Sequence, residues 1–398
     1  MNQLLRPIFA EASKQSSPIR AMFETGLRLK KEFGEDAVCD FSIGNPDVPA
    51  PKQVKEGMME LAKKADQPLA FGYTPNAGSG EIRELLAKYL SEEQGYPVEA
   101  ADVMLGVGAG AVMCNVFNSC LEAGDQVLGV APFFAEYTGW AESFGGTYKA
   151  IPVNSDFSFN LPAMEAAITP KTRVVIYNSP HNPTGYVYTE AEIKGLVDIL
   201  RKKGKEYGRP ILLVADEPYR FLTYGGEKVP SVLPLYEYSC VVSSFAKNIS
   251  LPGERIGYLA ACKDMPGKID FVAAIIAANR RLGVTSAPII GQELLKYCLG
   301  HNTDAETYAK RRTVMADVLT RAGYKFNMPA GAFYFFPIAP GGDDLAFVKI
   351  LAEQRVLAVQ GTAFGMPGYF RLSFCVSEEI IKRSFEGLKK AREIVEGK

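Results

Sequence analysis

Lys247 and Arg255 lie in a short stretch that begins with two serines and is broken by a Pro-Gly pair. The stretch follows the apolar run 240–242, which is typical of a short buried strand. Two cations and two hydroxyls at the end of a strand suit an anionic ligand, and a lysine amine beside them could act as a nucleophile. Taken alone, however, such a stretch is more often a solvated surface loop.

A carboxylate, Asp216, follows the apolar run 211–214. A carboxylate at the end of a buried strand is costly unless it meets a cation, so it indicates a ligand site, an ion pair or a cap. We interpret Asp216 as the inward-facing acid and Tyr219 as a neighbouring hydroxyl. Asn182 lies in the turn-rich segment 178–185, where its amide either contacts a ligand or forms a turn.

Arg371 interrupts an apolar strand, a place where arginine rarely lies without an anionic partner. That partner is either a protein acid or a substrate carboxylate held in a bidentate fork. The small residues 106–111 stand where a strand meets a helix start, which favours a phosphate. A dinucleotide loop fits poorly there, because the spacing is not G-x-G-x-x-G and no acid ends the next strand.

Short apolar runs alternate with amphipathic stretches along the chain, which predicts an α/β fold with a mostly parallel sheet flanked by helices. Ligands of such sheets bind beyond the carboxyl ends of the strands, where the polar residues above are expected. The runs predict seven strands, at 103–107, 127–130, 148–153, 174–177, 211–215, 240–243 and 256–261. Helices are predicted at about 111–122, 135–144, 161–168 and 190–207, the last opened by a capping box at 189–192.

With 398 residues the chain should form two domains, because single cores stop growing near roughly 250–300 residues. We predict an N-terminal arm at 1–45, a large domain at 46–285 and a smaller α+β domain at 286–398. The arm is expected to pack with the small domain or a partner subunit and to hold a single helix, at about 18–33. Further helices are predicted at about 51–65, 79–93 (capped by Ser79), 343–354 and from 377 onward, with a long helical region at about 288–322 and a strand at 369–374.

The composition excludes several classes of function. Forty-four basic and 45 acidic residues leave a net charge of −1, so neither nucleic acid nor an anionic membrane is expected as a partner. Seven scattered cysteines without a Cys-x-x-Cys pair and only two histidines argue against a disulfide framework or a metal site. The chain shows neither a signal peptide nor a membrane span, and we expect a cytoplasmic protein.

Together these stretches resemble the class I aminotransferases of the fold-type I pyridoxal-phosphate enzymes, over nearly the whole chain. The resemblance implies a fold-type I transferase with a seven-stranded sheet in its large domain. Five motifs occur in the family's order, followed by the terminal Arg371: Tyr73-Thr74-Pro75, Asn182-Pro183-Thr184-Gly185, Asp216-Glu217-Pro218-Tyr219, Ser244-x-x-Lys247 and Arg255.

The resemblance implies pyridoxal 5′-phosphate as cofactor and gives the residues roles. Lys247 would bond the cofactor aldehyde and, once released, move the substrate proton. Asp216 would keep the ring nitrogen protonated. Tyr219 and Asn182 would bond the phenolic oxygen, and Phe134 would stack on the ring.

The resemblance also implies how the two anionic ends would be held. Arg255, Ser244 and the backbone of Ala109 and Gly110 would bind the phosphate, although Ala109 and Ala246 lack hydroxyls that many relatives have. Tyr73 would reach the phosphate of a neighbouring subunit, which implies a homodimer with shared active sites. The substrate α-carboxylate would be bound by Arg371, the Gly44 backbone and Asn182.

Substrate choice depends on an arginine pair, Arg280 and Arg281. Arg281 falls about where dicarboxylate-specific relatives place an arginine that crosses the dimer, but it is equally typical of a solvated helix end. Our hypothesis is transamination between an aspartate- or glutamate-like donor and a 2-oxo acid such as 2-oxoglutarate. The alternatives are an aminotransferase for aromatic or neutral donors, and elimination (a C–S β-lyase) or racemisation on the same cofactor. An effector-binding regulator or a nicotinamide-dependent dehydrogenase is less consistent with the motifs.

Overall fold

The computed structural model describes residues 4–14 and 18–398. The strands of this part of the chain are β1 (Cys39–Asp40), β2 (Val103–Gly106), β3 (Gln126–Ala131), β4 (Thr147–Pro152), β5 (Thr172–Asn178), β6 (Leu212–Asp216), β7 (Ser239–Ser244), β8 (Gly257–Ala261), β9 (Tyr334–Phe335), β10 (Val356–Leu357), β11 (Val359–Gln360) and β12 (Phe370–Ser373). The helices are α1 (Pro7–Ala12), α2 (Pro18–Phe33), α3 (Lys52–Ala62), α4 (Gly80–Gln94), α5 (Gly108–Cys120), α6 (Glu136–Ser143), α7 (Leu161–Ala167), α8 (Glu190–Tyr207), α9 (Lys268–Arg281), α10 (Ile289–Cys298), α11 (Ala305–Arg321), α12 (Asp344–Glu353) and α13 (Glu378–Glu396).

The larger sheet confirms the predicted α/β class. Its seven strands run in the order β2-β8-β7-β6-β5-β3-β4, and the strands from β4 to β7 pair in parallel. Only β8 is antiparallel to its neighbours, β2 and β7. The buried apolar side chains of β5, β6 and β7 form the centre of one large core, against which the helices pack.

A second core lies around the smaller sheet, in which β12 is antiparallel to β11 and β9. Strand β1 of the N-terminal arm pairs with β10, and Phe41 packs into this second core. The buried side chains of α10 belong to the first core instead. The predicted domain limits, at 45 and 285, remain predictions.

The helical region predicted at about 288–322 contains two helices, because the chain turns at Gly300 (φ +80°) and Asp304 caps the N-terminus of α11. Two other local expectations are wrong. Ser79 precedes α4, but its side chain makes no cap hydrogen bond; its N–H donates to Gln292 Oε1 at 2.8 Å. The arm holds α1 as well as α2.

The capping box at 189–192 is confirmed: Thr189 Oγ1 accepts from the Glu192 N–H, and the Glu192 carboxylate accepts from the Thr189 N–H.

Within the described residues, no helix combines the length and the apolar character that crossing a membrane requires.

Candidate active site

The carboxyl ends of β5, β6 and β7 lie side by side because these strands are parallel, and polar residues follow each of them. A cavity of about 320 Å³ opens at this edge of the sheet, between the two cores. Most of the predicted site residues line it: Gly44, Ala109, Gly110, Phe134, Asn182, Asp216, Tyr219, Ser244, Lys247, Arg255 and Arg371.

The amine of Lys247 is the reactive group of the cavity. It lies just after the end of β7, and its Nζ donates to the Gly44 carbonyl at 2.6 Å. Burial lowers the pKa of Lys247 to about 8, and the nearby charges of Arg371 and Arg255 act in the same direction. About a tenth of this amine is therefore neutral, and so nucleophilic, at pH 7, far more than for a lysine with the ordinary pKa.

Asp216 ends β6 and is buried. The Tyr137 hydroxyl donates to its Oδ2, and Asn178 Nδ2 lies 3.4 Å from the same oxygen. Burial raises the pKa of Asp216 to about 7, and the charge of Glu217 adds to the rise while the Tyr137 hydrogen bond opposes it. Among the described residues no cation forms a salt bridge with this carboxylate, so its natural partner is a cationic group of a ligand.

Arg371 projects from β12 and is 2 % exposed. Its two terminal nitrogens donate to Asn182 Oδ1 at 3.1 Å and to the Ser42 carbonyl at 2.6 Å, while Nε has no partner. Both acceptors are uncharged, and no salt bridge to Arg371 occurs within 4–14 and 18–398. Of the two partners considered from the sequence, a ligand carboxylate is therefore the one that this geometry favours.

Tyr219 and Tyr334 meet at the base of the cavity, with their hydroxyl oxygens 2.7 Å apart. Burial raises the pKa of Tyr219 well above its ordinary value and that of Tyr334 to about 12, so both are neutral phenols near pH 7. Each can therefore donate only one hydrogen bond.

The other end of the cavity is built for an anion. The N-terminus of α5 begins at Gly108, whose φ is +74° and whose added Cβ would lie 2.6 Å from a terminal nitrogen of Arg255. The guanidinium therefore stands directly against the first turn of the helix. Free N–H groups, the helix dipole and a cation together favour a phosphate at this point.

Two predicted residues do not join the cavity within one chain. The Tyr73 side chain is 93 % exposed, and Arg281, at the end of α9, is exposed as well. Both residues were expected to act at the site of a neighbouring subunit, so the roles of Tyr73 and Arg281 stay predictions.

Sequence reasoning missed three residues that orient the site: Tyr137, Asn178 and Tyr334. Tyr137 and Asn178 hold Asp216, and the Asn178 side chain also accepts from the Asn182 N–H at 2.7 Å. Of these three, only Asn178 could have been found from the sequence, by its place at the end of a strand within the turn-rich segment.

In the part of the chain that is described, no group of three or more His, Cys, Asp or Glu side chains could hold a metal ion.

Comparison with known proteins agrees with this geometry. The chain is 30% identical over 390 residues to the aspartate/prephenate aminotransferase of Thermus thermophilus, covering 94% of this chain and 96% of that protein. It is 30% identical over 404 residues to the aspartate aminotransferase of Geobacillus stearothermophilus, covering 96% and 98%.

Solved structures show the same likeness. An amino transferase from Eubacterium rectale superposes with a TM-score of 0.95 at 37% identity, covering 99% of both chains. The aspartate aminotransferase of Thermus thermophilus with maleate superposes with a TM-score of 0.84 at 27% identity, covering 95% of this chain and 97% of that one. The family model described as aminotransferase class I and II matches residues 36–388. The chain therefore belongs to the class I and II aminotransferase family.

Proposed function

We propose that this protein is a pyridoxal 5′-phosphate-dependent aminotransferase that moves an amino group between an L-amino acid and a 2-oxo acid. One observation carries the proposal: a lysine amine of lowered pKa shares a cavity with an acid and an arginine, neither of which has a charged partner among the described residues. Lys247, Asp216 and Arg371 are these three groups.

The residues present fit this cofactor. An unpaired buried acid suits a protonated ring nitrogen, and the first turn of α5 with Arg255 suits a phosphate. Ser244, the last residue of β7, lines the same end of the cavity. Phe134 and Trp140 provide aromatic surface on the wall, where a ring can stack.

Each residue then has a definite task. Arg371 and the backbone at Gly44 bind the substrate carboxylate and orient the Cα–H bond, and Asn182 holds the guanidinium. Lys247, as a free amine, takes the proton from the substrate Cα. Tyr219 and Asn182 donate to an oxygen of the ligand, while Asp216 stays ionised beside a cation. When bound, pyridoxal phosphate supplies an aldehyde that bonds amines and a ring that withdraws electrons from Cα.

We further propose a homodimer with shared active sites, working in the cytoplasm. Leu69 and Tyr73 are 90 % and 93 % exposed, and a second copy of the chain would cover these side chains. In such a dimer Tyr73 would reach the partner's phosphate site, and Arg281 would reach the partner's substrate.

The names of the relatives support an aspartate-like donor. We propose an aspartate- or glutamate-like donor with 2-oxoglutarate as acceptor. A second candidate, an aromatic or neutral donor, is favoured by the cavity wall. This wall contains Met113 as well as Phe134 and Trp140. The cations that line the cavity are Lys247, Arg255 and Arg371, and the proposed mechanism already uses all three. A side-chain carboxylate would therefore depend on an arginine from the partner subunit.

A half-reaction screen tests the proposal. The protein loaded with pyridoxal phosphate is mixed with single amino acids, and loss of its visible absorbance is followed together with release of the 2-oxo acid. We expect conversion with aspartate or glutamate and recovery of the absorbance on adding 2-oxoglutarate. Release of ammonia and pyruvate from a cysteine conjugate without an acceptor would instead indicate a lyase.

Substitution of Arg281 separates the two donor classes. Arg281→Leu should lower kcat/KM for aspartate by about tenfold to a hundredfold relative to phenylalanine, because a dicarboxylate loses its second cation. Arg280→Leu, which changes the neighbouring exposed residue, is the matched control. An unchanged ratio in both variants would favour the aromatic or neutral donor.

A further inference from the structure

Tyr334 contacts Tyr219, Arg371 and the space beside Gly44, three groups to which the proposed mechanism gives a task. Its hydroxyl lies 2.7 Å from that of Tyr219, and the Arg371 guanidinium carbon lies 4.8 Å from the centre of its ring. The same hydroxyl fills the space beside Gly44, where an added Cβ would overlap with it. These contacts join β9, β12, the segment after β6 and the N-terminal arm at one point.

Each of the two phenols, Tyr219 and Tyr334, has a single hydroxyl proton, and this limits which of them donates to the other. A phenol has one proton to donate, and its oxygen can accept a hydrogen bond at the same time. If Tyr219 donated to Tyr334, it would have no proton left for an oxygen of the ligand. If Tyr334 donates to Tyr219, the single proton of Tyr219 stays available, and it becomes a stronger donor because hydrogen bonds in a chain polarise one another.

We propose that Tyr334 is a positioning residue that donates its hydroxyl proton to Tyr219 and so reserves the Tyr219 proton for the ligand oxygen. This inference rests on the proposed function, in which Tyr219 donates to the phenolic oxygen of the cofactor. The charged or titratable groups that face the pair are Arg371 and Cys375, and Tyr137 faces Tyr219 as well. The ring of Tyr334 also fixes the guanidinium, so the carboxylate-binding end and the cofactor end share one support.

The same arrangement explains why residue 44 is a glycine. Its carbonyl accepts from Lys247, and its missing side chain leaves room for the Tyr334 hydroxyl. Any side chain at this position would push the hydroxyl away from Tyr219. Gly44→Ala should therefore reproduce the loss of the Tyr334 hydrogen bond, without any change in Tyr334 itself.

The test measures the pH midpoint of the visible absorbance of the protein loaded with pyridoxal phosphate, and its affinity for the cofactor. A weaker bond from Tyr219 to the phenolic oxygen raises that midpoint. Tyr334→Phe should raise it by about half a unit to one unit, as should Gly44→Ala, and Tyr219→Phe should raise it further. In the Tyr219→Phe background, adding Tyr334→Phe should cause no further shift, because the two act through one hydrogen bond.

Tyr324→Phe is the matched control. The Tyr324 hydroxyl also makes one buried hydrogen bond in the second core, to the Leu388 carbonyl at 2.8 Å, but it does not line the cavity. Its loss should leave the midpoint unchanged. Equal midpoints for Tyr334→Phe, Gly44→Ala and this control, or additive shifts with Tyr219→Phe, would overturn the inference.

The outcomes separate the inference from the function on which it rests. A wild-type protein that takes up pyridoxal phosphate and shows a titrating band supports the proposed function, whatever Tyr334→Phe does. A wild-type protein that takes up none overturns the proposed function and the inference with it. If Tyr334→Phe does not fold, the Gly44→Ala midpoint decides.

Discussion

Three side chains of the cavity are held in states that burial makes costly. The pKa of Lys247 is lowered and that of Asp216 is raised, and Arg371 is buried with no acidic partner in the part of the chain that is described. Unpaired buried charges destabilise a fold, and they persist where a ligand supplies their partners. The electrostatics of the cavity therefore suit a ligand that brings one cation and at least one anion.

The amine of Lys247 should react at an unusually low pH. In the cofactor-free protein, acylation of Lys247 followed by site-resolved mass spectrometry should reach half its maximal rate near pH 8, because burial disfavours the ammonium form. The exposed Lys310 is the internal control, since its hydrogen bond to the Glu306 carboxylate raises its pKa. Equal pH profiles for the two lysines would contradict the expectation.

Asp216 should make the cofactor-free protein less stable as the pH rises. Its folded pKa of about 7 exceeds the unfolded value of roughly 3.9, so the native state binds more protons between these values. The free energy of unfolding should then fall across this window by roughly 2–4 kcal/mol on account of this group. Asp216→Asn should lose correspondingly less stability between pH 5 and pH 8.

Urea unfolding at both pH values measures this difference. The pKa of Glu217 is raised by burial too, but that residue is common to both proteins, so only the difference between them is assigned to Asp216. An equal loss of stability in both proteins would mean that Asp216 is already ionised in the folded state at pH 5.

Among the elements, β8 positions Arg255 at the α5 end of the cavity. It runs antiparallel to β7, so it starts where β7 ends, and its first residue, Gly257, pairs with Ser244 on one side and Gly106 on the other. Arg255 therefore lies next to the N-terminus of α5, although about 150 residues separate them in the chain.

Gly257→Ala should weaken cofactor binding. A Cβ at this position would lie 2.6 Å from the Gly108 carbonyl carbon and 2.7 Å from the Ala109 nitrogen, so the first turn of α5 must move. Overpacking of this kind costs about 1–3 kcal/mol, which predicts an affinity for pyridoxal phosphate lower by about tenfold or more in an equilibrium titration. Gly80→Ala is the control, because its added Cβ meets nothing within 4 Å; a matching affinity in both variants would argue against a phosphate at α5.

At the scale of the whole molecule, one chain supplies most of a site but leaves Tyr73 and Arg281 on its surface. Both side chains have tasks only if a second copy approaches, as the proposed dimer requires. A symmetric dimer would place each of them at the partner's cavity.

Hybrid dimers test the shared sites directly. Tyr73→Ala and Lys247→Ala chains are each expected to be impaired, yet a dimer of one of each contains one site with both native residues. Unfolding and refolding an equal mixture should restore about a quarter of the wild-type activity, since half the dimers are hybrids and each has one intact site. Activity no higher than the mean of the two separate variants would show that Tyr73 does not act across the interface.

The strand-end residues could be located from the sequence because local patterns carry that information. Apolar runs alternating with helices predict parallel strands, and parallel strands bring Asn182, Asp216 and Lys247 to one edge. The cap at 304 that divides the region 288–322 was not anticipated, because helical periodicity continues on both sides of it.

Only the tertiary structure determined which side chains hold Tyr219 and Asp216 in place, and which site residues are charged. The bond between Tyr334 and Tyr219 spans 115 residues, and that between Tyr137 and Asp216 spans 79, so no local spacing predicts either of them. The sequence by itself determined which groups could react and roughly where they meet. Whether Lys247 is neutral, Asp216 protonated and Arg371 without an acid depends on burial and on the nearest charges, which exist only once the chain has packed.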